Sequence, residues 1–253
     1  MLKVFSLCVI LLGLPGLQGS VPLPPVQVTL SNPHFDIISW QAVAAHLQSL
    51  GITRPDEVTH LTLHQCNLKR LPAWVTDKMP NLKHLNIADN AITALPENID
   101  RLTKLMHLEA HHNHMTALPA SLSTLSRLEL ADFRYNKLKN LSKASFNMPN
   151  LRALALSHNQ ISTLPDLSGL KNLQGLLLEH NEDIRFEPGS KPLQSLNALD
   201  LSHCNLKTVP SFLGDFSKLN KLNLAGNPLL EKGSGDKWGK EELKQRFADK
   251  VRF

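Results

Sequence analysis

Twelve histidines in 253 residues are the first chemically suggestive feature of this sequence. Imidazole titrates near neutral pH, at about 6.5, and is also a standard zinc ligand. The histidines are not scattered. His60, His84 and His107 recur at steps of 24 and 23 residues; His64 and His111 follow two of them four positions later; His112, His158, His180 and His203 keep a related spacing. Glu109 and Asp132 fall in the same intervals. Three chemistries suit such a set. A metal site is conceivable where His107, Glu109 and His111 gather, a pH-responsive surface needs only clustered imidazoles, and carboxylate–imidazole pairs are the raw material of acid–base catalysis. Catalysis lacks its other parts, since no nucleophile elbow and no cleft-forming insertion accompany them. The Gly-Lys sequence at Gly239-Lys240 lacks the spacing of a phosphate loop and has Glu241 where Ser or Thr is required.

The spacing of these side chains comes from a repeat. LRALALSHNQI, Leu151 to Ile161, places Leu151, Leu154, Leu156, Asn159 and Ile161 at positions 1, 4, 6, 9 and 11 of L-x-x-L-x-L-x-x-N/C-x-L. Further copies begin at Val58, Leu82, Leu105, Leu128, Leu173, Leu196 and Leu219. Position 9 then reads Cys66, Asn90, Asn113, Asn136, Asn159, Asn181, Cys204, Asn227. A side chain turned inward there can satisfy loop backbone groups that stacking would leave buried and unpaired, at a cost of about 1–3 kcal/mol each. Leu71-Pro72, Leu95-Pro96, Leu118-Pro119, Leu164-Pro165 and Val209-Pro210 follow five of the copies. Proline cannot donate to a sheet and starts the returning segment.

With these motifs the chain resembles the leucine-rich repeat family, in the roughly 23-residue LPxxLxxLxxL variety of bacterial and Ras-suppressor-like members. The resemblance covers about residues 58–230. It implies an α/β solenoid with a parallel β-sheet on the concave face, short helical or 3-10 turns on the convex face, and caps at both ends, and it implies a binding scaffold with the partner left open. The expected organisation is a signal peptide at 1–20, a Pro-rich lead-in at 21–33, a capping helix within 34–57, eight repeats at 58–230 and a C-terminal cap at 231–253. In the sixth repeat Asp183 takes the place of the usual Leu and Ile184 follows it, which predicts a bulge and an irregular convex loop over Arg185 to Lys191.

The segment before the repeats reads as an export signal. Lys3 precedes the uncharged run Val4 to Leu14, which Pro15-Gly16 ends ahead of Leu17-Gln18-Gly19-Ser20. The run is short for a spanning helix, so no stable membrane insertion is expected once it is removed. Cys66 and Cys204 lie six repeats apart, roughly 29 Å at about 4.8 Å per strand, beyond the reach of a disulfide. Extracellular animal members of the family usually carry Cys-rich caps, and their lack here favours a secreted, periplasmic or envelope protein of bacterial type. The Asn140-Leu141-Ser142 sequon keeps the eukaryotic secretory route open.

The concave face should present positions 2, 3, 5, 7 and 8. Its cations, such as Lys83, Arg134, Arg152 and Lys221, are interrupted by Asp89, Glu109, Asp132, Glu179 and Asp200. The net charge of +5 therefore forms no basic stripe, and nucleic acid is not an expected partner. Arg134 and Tyr135, the chain's one tyrosine, are the interface-prone pair on this face. Around them lie Met106, His107, Glu109, His111, His112, Leu130, Asp132 and His158. The expectation is a non-enzymatic protein-binding scaffold without cofactor; the alternative is pH-responsive, metal or small-molecule binding by the His-rich face.

Overall fold

The computed structural model describes residues 26–30, 39–187, 193–208, 218–229, 245 and 251–252. Each repeat contributes one three-residue strand spanning its positions 3 to 5: β2 His60–Thr62, β3 His84–Asn86, β4 His107–Glu109, β5 Leu130–Asp132, β6 Ala153–Ala155, β8 Gly175–Leu177, β10 Ala198–Asp200 and β11 Lys221–Asn223. All pair in parallel without slippage, with Leu61 beside Leu85, Leu85 beside Leu108 and so on. The leucines at positions 1, 4 and 6 point to the other side and form one core running the length of the array. Each fully buried Leu contributes roughly 1.5–3 kcal/mol.

Position 9 joins the repeats. Asn136 accepts from Met115 N at 2.9 Å and donates to Ala110 O at 3.0 Å in the repeat before, and to Phe133 O at 3.1 Å in its own. Asn159 does the same with Leu138 N, Phe133 O and Leu156 O. Asn90, Asn113, Asn181 and Asn227 follow this pattern. Where cysteine replaces asparagine, its thiol donates to a carbonyl: Cys66 to Leu30 O at 2.8 Å and Cys204 to Leu178 O at 3.3 Å. Both thiols are free, and burial pushes each up to about 11, so neither is a nucleophile at neutral pH.

On the convex side the prolines act as expected in three repeats. Pro72 precedes α2, Ala73–Lys78, and Pro96 and Pro119 precede 3-10 turns at Glu97–Arg101 and Ala120–Thr124. Pro165 instead follows β7, Thr163–Leu164, which pairs with β9, Arg185–Phe186. The sixth repeat is thus ordered into a short second sheet where an irregular loop was predicted. Asp183 takes a positive φ of 58° and Ile184 turns inward to take the vacated leucine site, as the displaced apolar residue requires. Pro188 to Pro192 lie outside the described residues.

The N-terminal cap starts earlier than the sequence suggested. Gln27–Thr29, expected as plain lead-in, forms β1 and adds to the sheet edge with Val28 beside Leu61. The helix α1, Trp40–Ser49, follows; it is N-capped by Ser39 and ends at Gly51, whose φ of 78° gives it the left-handed turn. It buries Val43 and Leu47, and Trp40 packs on Trp74 at 5.9 Å. At the far end β12, Val251–Arg252, pairs with β11. The predicted signal segment 1–20 and all of the predicted C-terminal cap except residues 245 and 251–252 are outside the described residues. Among the described residues no helix is long and apolar enough to cross a membrane.

Replacing Asn136 by Ala leaves Met115 N and Ala110 O, in a buried setting, without their partner. We expect Asn136→Ala to lower unfolding stability by about 1–3 kcal/mol and the exposed Lys137→Ala by less than about 0.5 kcal/mol. Urea midpoints of the two variants measure the difference; coincident midpoints would refute the bridging role.

Candidate interaction face

Position 8 sits at the end of each strand in the left-handed region. Gln65, Asp89, His112, Tyr135, His158, His180, His203 and Gly226 all have φ between 53° and 70°. Among non-glycine residues Asn, Asp and His tolerate this conformation best, which accounts for the frequency of histidine there. Each of the first seven donates its N–H to the position 7 carbonyl of the next repeat, as His112 does to Arg134 O at 2.9 Å and His158 to Glu179 O at 2.8 Å. The side chains are thereby held one strand spacing apart. His112, Tyr135, His158, His180 and His203 form a continuous stack with centroids 4.2, 4.1, 4.3 and 4.6 Å apart. A Cβ at Gly226 would stand 2.3 Å from His203 Nδ1, so the last repeat needs glycine beneath the end of the stack. Tyr135, expected as a projecting anchor, has both ring faces covered by His112 and His158 and presents only its edge.

Arg134 also differs from expectation. Its Nε lies 2.9 Å and its Nη2 2.6 Å from the carboxylate of Asp132, and Asp132 accepts Arg134 N as well. Only 2% of Asp132 and 12% of the Arg134 side chain reach solvent. Asp132 is therefore no rim residue. Leu130, placed by the sequence among the residues around Arg134 and Tyr135, is buried at 8% and clusters with Ala153, Ala155 and Leu177. This cluster is separate from the core and belongs to the outward positions 3 and 5. Sequence reasoning passed over Ala153, Ala155 and Leu177, although three consecutive repeats with Leu, Ala or Gly at position 3 are visible in the chain.

The N-terminal half of the face is polar. His60 and His84 stack at 4.0 Å, and His107 meets His84 edge-on at 4.2 Å. Burial holds His84 down to about 3, and lowers His60, His107 and His111 in the same direction. Glu109 accepts from Asn86 Nδ2 at 3.1 Å, and burial followed by the nearby Asp132 raises its carboxyl. Met106 is half-buried beside them. The imidazoles stack and do not converge, and among the described residues no three His, Cys, Asp or Glu side chains could hold a metal. The structure thus brings the ten proposed site residues onto one face, but sorts them into a polar half, a buried ion pair with an apolar patch, and a ring stack along the strand ends.

A curved parallel sheet of inward leucines with an outward mosaic face defines a solenoid scaffold. Sequence comparison agrees: the leucine rich repeat description matches residues 56–115 and 119–182, and a second description of the same repeat matches residues 195–216, so more than half of the chain is covered. The chain belongs to the leucine-rich repeat family. It is 43% identical over 91 residues to fibromodulin of Oryctolagus cuniculus, across 35% of this chain and 60% of that protein. It is 36% identical over 81 residues to plant intracellular Ras-group-related LRR protein 8 of Oryza sativa, across 30% and 21%. Among solved structures it resembles the LRR ectodomain of the plant receptor kinase GASSHO1/SCHENGEN3 of Arabidopsis thaliana, in complex with CASPARIAN STRIP INTEGRITY FACTOR 2. The TM-score is 0.59 and identity 28%, over 73% of this chain and 23% of that one. These matches span less than two thirds of each relative. Leucine-rich repeat proteins, extracellular ones among them, are protein-interaction scaffolds.

Two expectations test the face. Arg134→Ala leaves the carboxylate of Asp132 buried without its cation and should cost about 3 kcal/mol; removing Asp132 as well should restore part of that loss. A double variant no more stable than the single one would contradict the pairing, as read by thermal or urea unfolding. The second concerns pH. His84 binds its proton near 6.5 when unfolded and only near 3 when folded, so its contribution is fully present above about 6.5 and is lost as pH falls below it. The urea midpoint should drop between pH 7 and pH 5, and His84→Gln should drop less; parallel curves would exclude His84 as a source.

Proposed function

We propose that the chain is an exported protein-binding scaffold that takes its partner along the concave face, over Leu130, Ala153, Ala155 and Leu177. The observation carrying this reading is that second apolar cluster. The four side chains belong to outward positions 3 and 5 and form a cluster apart from the inward leucine core, largely covered by their own neighbours on the concave side. Arg134, Tyr135, His111, His112 and His158 flank the cluster and, with Met106, His107 and Glu109, supply the polar surround of the contact. The Arabidopsis ectodomain, in a structure that holds a second factor, gives the fold a precedent for such a role.

The Lys3 to Gly16 segment supports export, and the resemblance to fibromodulin agrees with an extracellular setting. The rabbit, rice and Arabidopsis relatives are eukaryotic, which favours a eukaryotic over a bacterial envelope origin. The metal alternative draws no support from the stacked imidazoles, and burial, which lowers His60, His84, His107 and His111, speaks against a charge switch at those residues near neutral pH.

The experiment uses protein secreted by a cell line expressing the full chain. N-terminal sequencing should begin near Ser20 or Val21, and Met1 retained on protein held inside the cell would end the export reading. Partner captured by the wild type, identified by mass spectrometry, should be lost by Ala155→Arg and kept by the convex variant Arg101→Ala. Capture that survives Ala155→Arg would place the interface elsewhere.

A further inference from the structure

Beside β1 the concave face holds a pocket of about 170 Å³, bordered by Thr29, His60, Thr62, His84, Asn86 and Glu109. Pockets for drug-sized molecules run to about 300–1,000 Å³, so this one suits a single side chain. Its floor is made by two ladders of outward residues, Gln27, His60, His84 at one position and Thr29, Thr62, Asn86, Glu109 at the other, with His107 next in the first ladder just beyond the lining. β1 therefore closes the solenoid and also builds the pocket's end wall.

We propose that this pocket receives the guanidinium of an arginine from the partner protein, a role that rests on the concave-face reading of function. The polar groups are arranged for a donor-rich cation. Glu109 accepts from Asn86 Nδ2 at 3.1 Å through one carboxylate oxygen, and among the described residues no side chain donates to the other. His60 uses Nδ1 against Thr59 Oγ1 at 2.9 Å, leaving Nε2 toward the face. Neutral imidazoles offer one acceptor each, and burial keeps His60 and His84 neutral at physiological pH. The acceptors of Glu109, Thr62 and the imidazole edges are spread over three strands, a pattern that five forked N–H donors meet better than a point-like ammonium.

Charge favours the same ligand. Burial and Asp132 raise the Glu109 carboxyl, an unfavourable position that an incoming cation relieves. Lys83 is the cation acting on His60 and His84; Glu129, acting on His107, opposes it, and Arg134 is engaged by Asp132. Burial and Asp132 outweigh the favourable action of Arg134 and His64 on Glu109, so an anionic side chain would add repulsion where a cation adds relief. The stacked faces of His60 and His84 at 4.0 Å are turned to each other, so no intercalating ring is accommodated between them.

The test is a titration of the full chain, with histidine Cε1 labelled by 13C, against N-acetyl-arginine methylamide and its uncharged isostere, N-acetyl-citrulline methylamide. Resonances of His60, His84 and His107, assigned through single His→Gln variants, should move saturably with the arginine compound at a millimolar Kd, while those of His180 and His203 stay. Citrulline should move them at least about tenfold more weakly, because the charge-assisted bonds are gone. Glu109→Gln keeps an acceptor for Asn86, preserves the His60–His84 stack as judged from unliganded spectra, and should lose the arginine response. Equal response to citrulline, equal response to the lysine analogue, or no saturable shift up to about 50 mM, where a millimolar fragment fills its site, would overturn the proposal. None of these outcomes bears on capture through Ala155, so failure of the pocket and failure of the scaffold reading are separable.

Discussion

A solenoid can stack only if the backbone at each turn finds partners after water has been excluded, and here one amide side chain per repeat provides them. Asn113 shows the geometry: its carbonyl accepts from Ile92 N at 2.9 Å and its amide donates to Ile87 O at 2.9 Å, both in the neighbouring repeat. One side chain therefore fixes the distance and the register between consecutive repeats while it satisfies both. The leucines supply more stabilisation, but they are interchangeable apolar volume. The amide alone specifies which backbone group lies next to which. Even the cap obeys it, since Leu30 O receives the Cys66 thiol as a repeat preceding the first would receive an amide.

This constraint explains the appearance of the functional face. Once position 9 turns inward, position 8 must pass through positive φ to lead into it, and the N–H of that residue bonds the next repeat. Histidine tolerates the conformation and also stacks, so a row of rings follows from a backbone requirement. Histidine abundance, the feature that looked most like chemistry, thus has two origins. The stack from His112 to His203 is a by-product of the turn, whereas His60, His84 and His107 lie on the strands themselves, where no backbone rule selects them.

The repeats, their register, the parallel sheet and the position 9 ladder were legible because each rests on residues whose type and spacing leave one solution. The second leucine column and the prolines likewise foretold the convex turns. Less legible was anything set by contacts between repeats. Arg134 reads as a free anchor until Asp132, two residues earlier, is seen to share its side of the strand and to close a bidentate pair with it. Leu130 reads as exposed until Ala153, Ala155 and Leu177 are placed beside it. Tyr135 looks available until His112 and His158 flank it. β1 was missed since Gln-Val-Thr is too short to announce a strand, and its pairing partner is more than thirty residues away.

Positions 1, 4, 6 and 9 are committed to the array, and position 8 is restricted by its φ. Positions 3 and 5 are free, and in this chain they are not used uniformly. From β1 to β4 they hold imidazoles, amides, hydroxyls and one carboxylate; from β5 to β10 they hold leucine, alanine and glycine, with Asp132 and Asp200 tied to neighbours through Arg134, Ser202 and Asn223. A partner lying across the strands would meet these two surfaces in succession, at about 4.8 Å per strand, and an extended segment advances about 3.3 Å per residue. Apolar and hydrogen-bonding residues of such a segment would then have to be separated by several positions to reach both halves together. The fixed spacing of the amide ladder therefore dictates the spacing of whatever binds, while the choice of side chains at positions 3 and 5 dictates its chemistry, and the second can vary without disturbing the first.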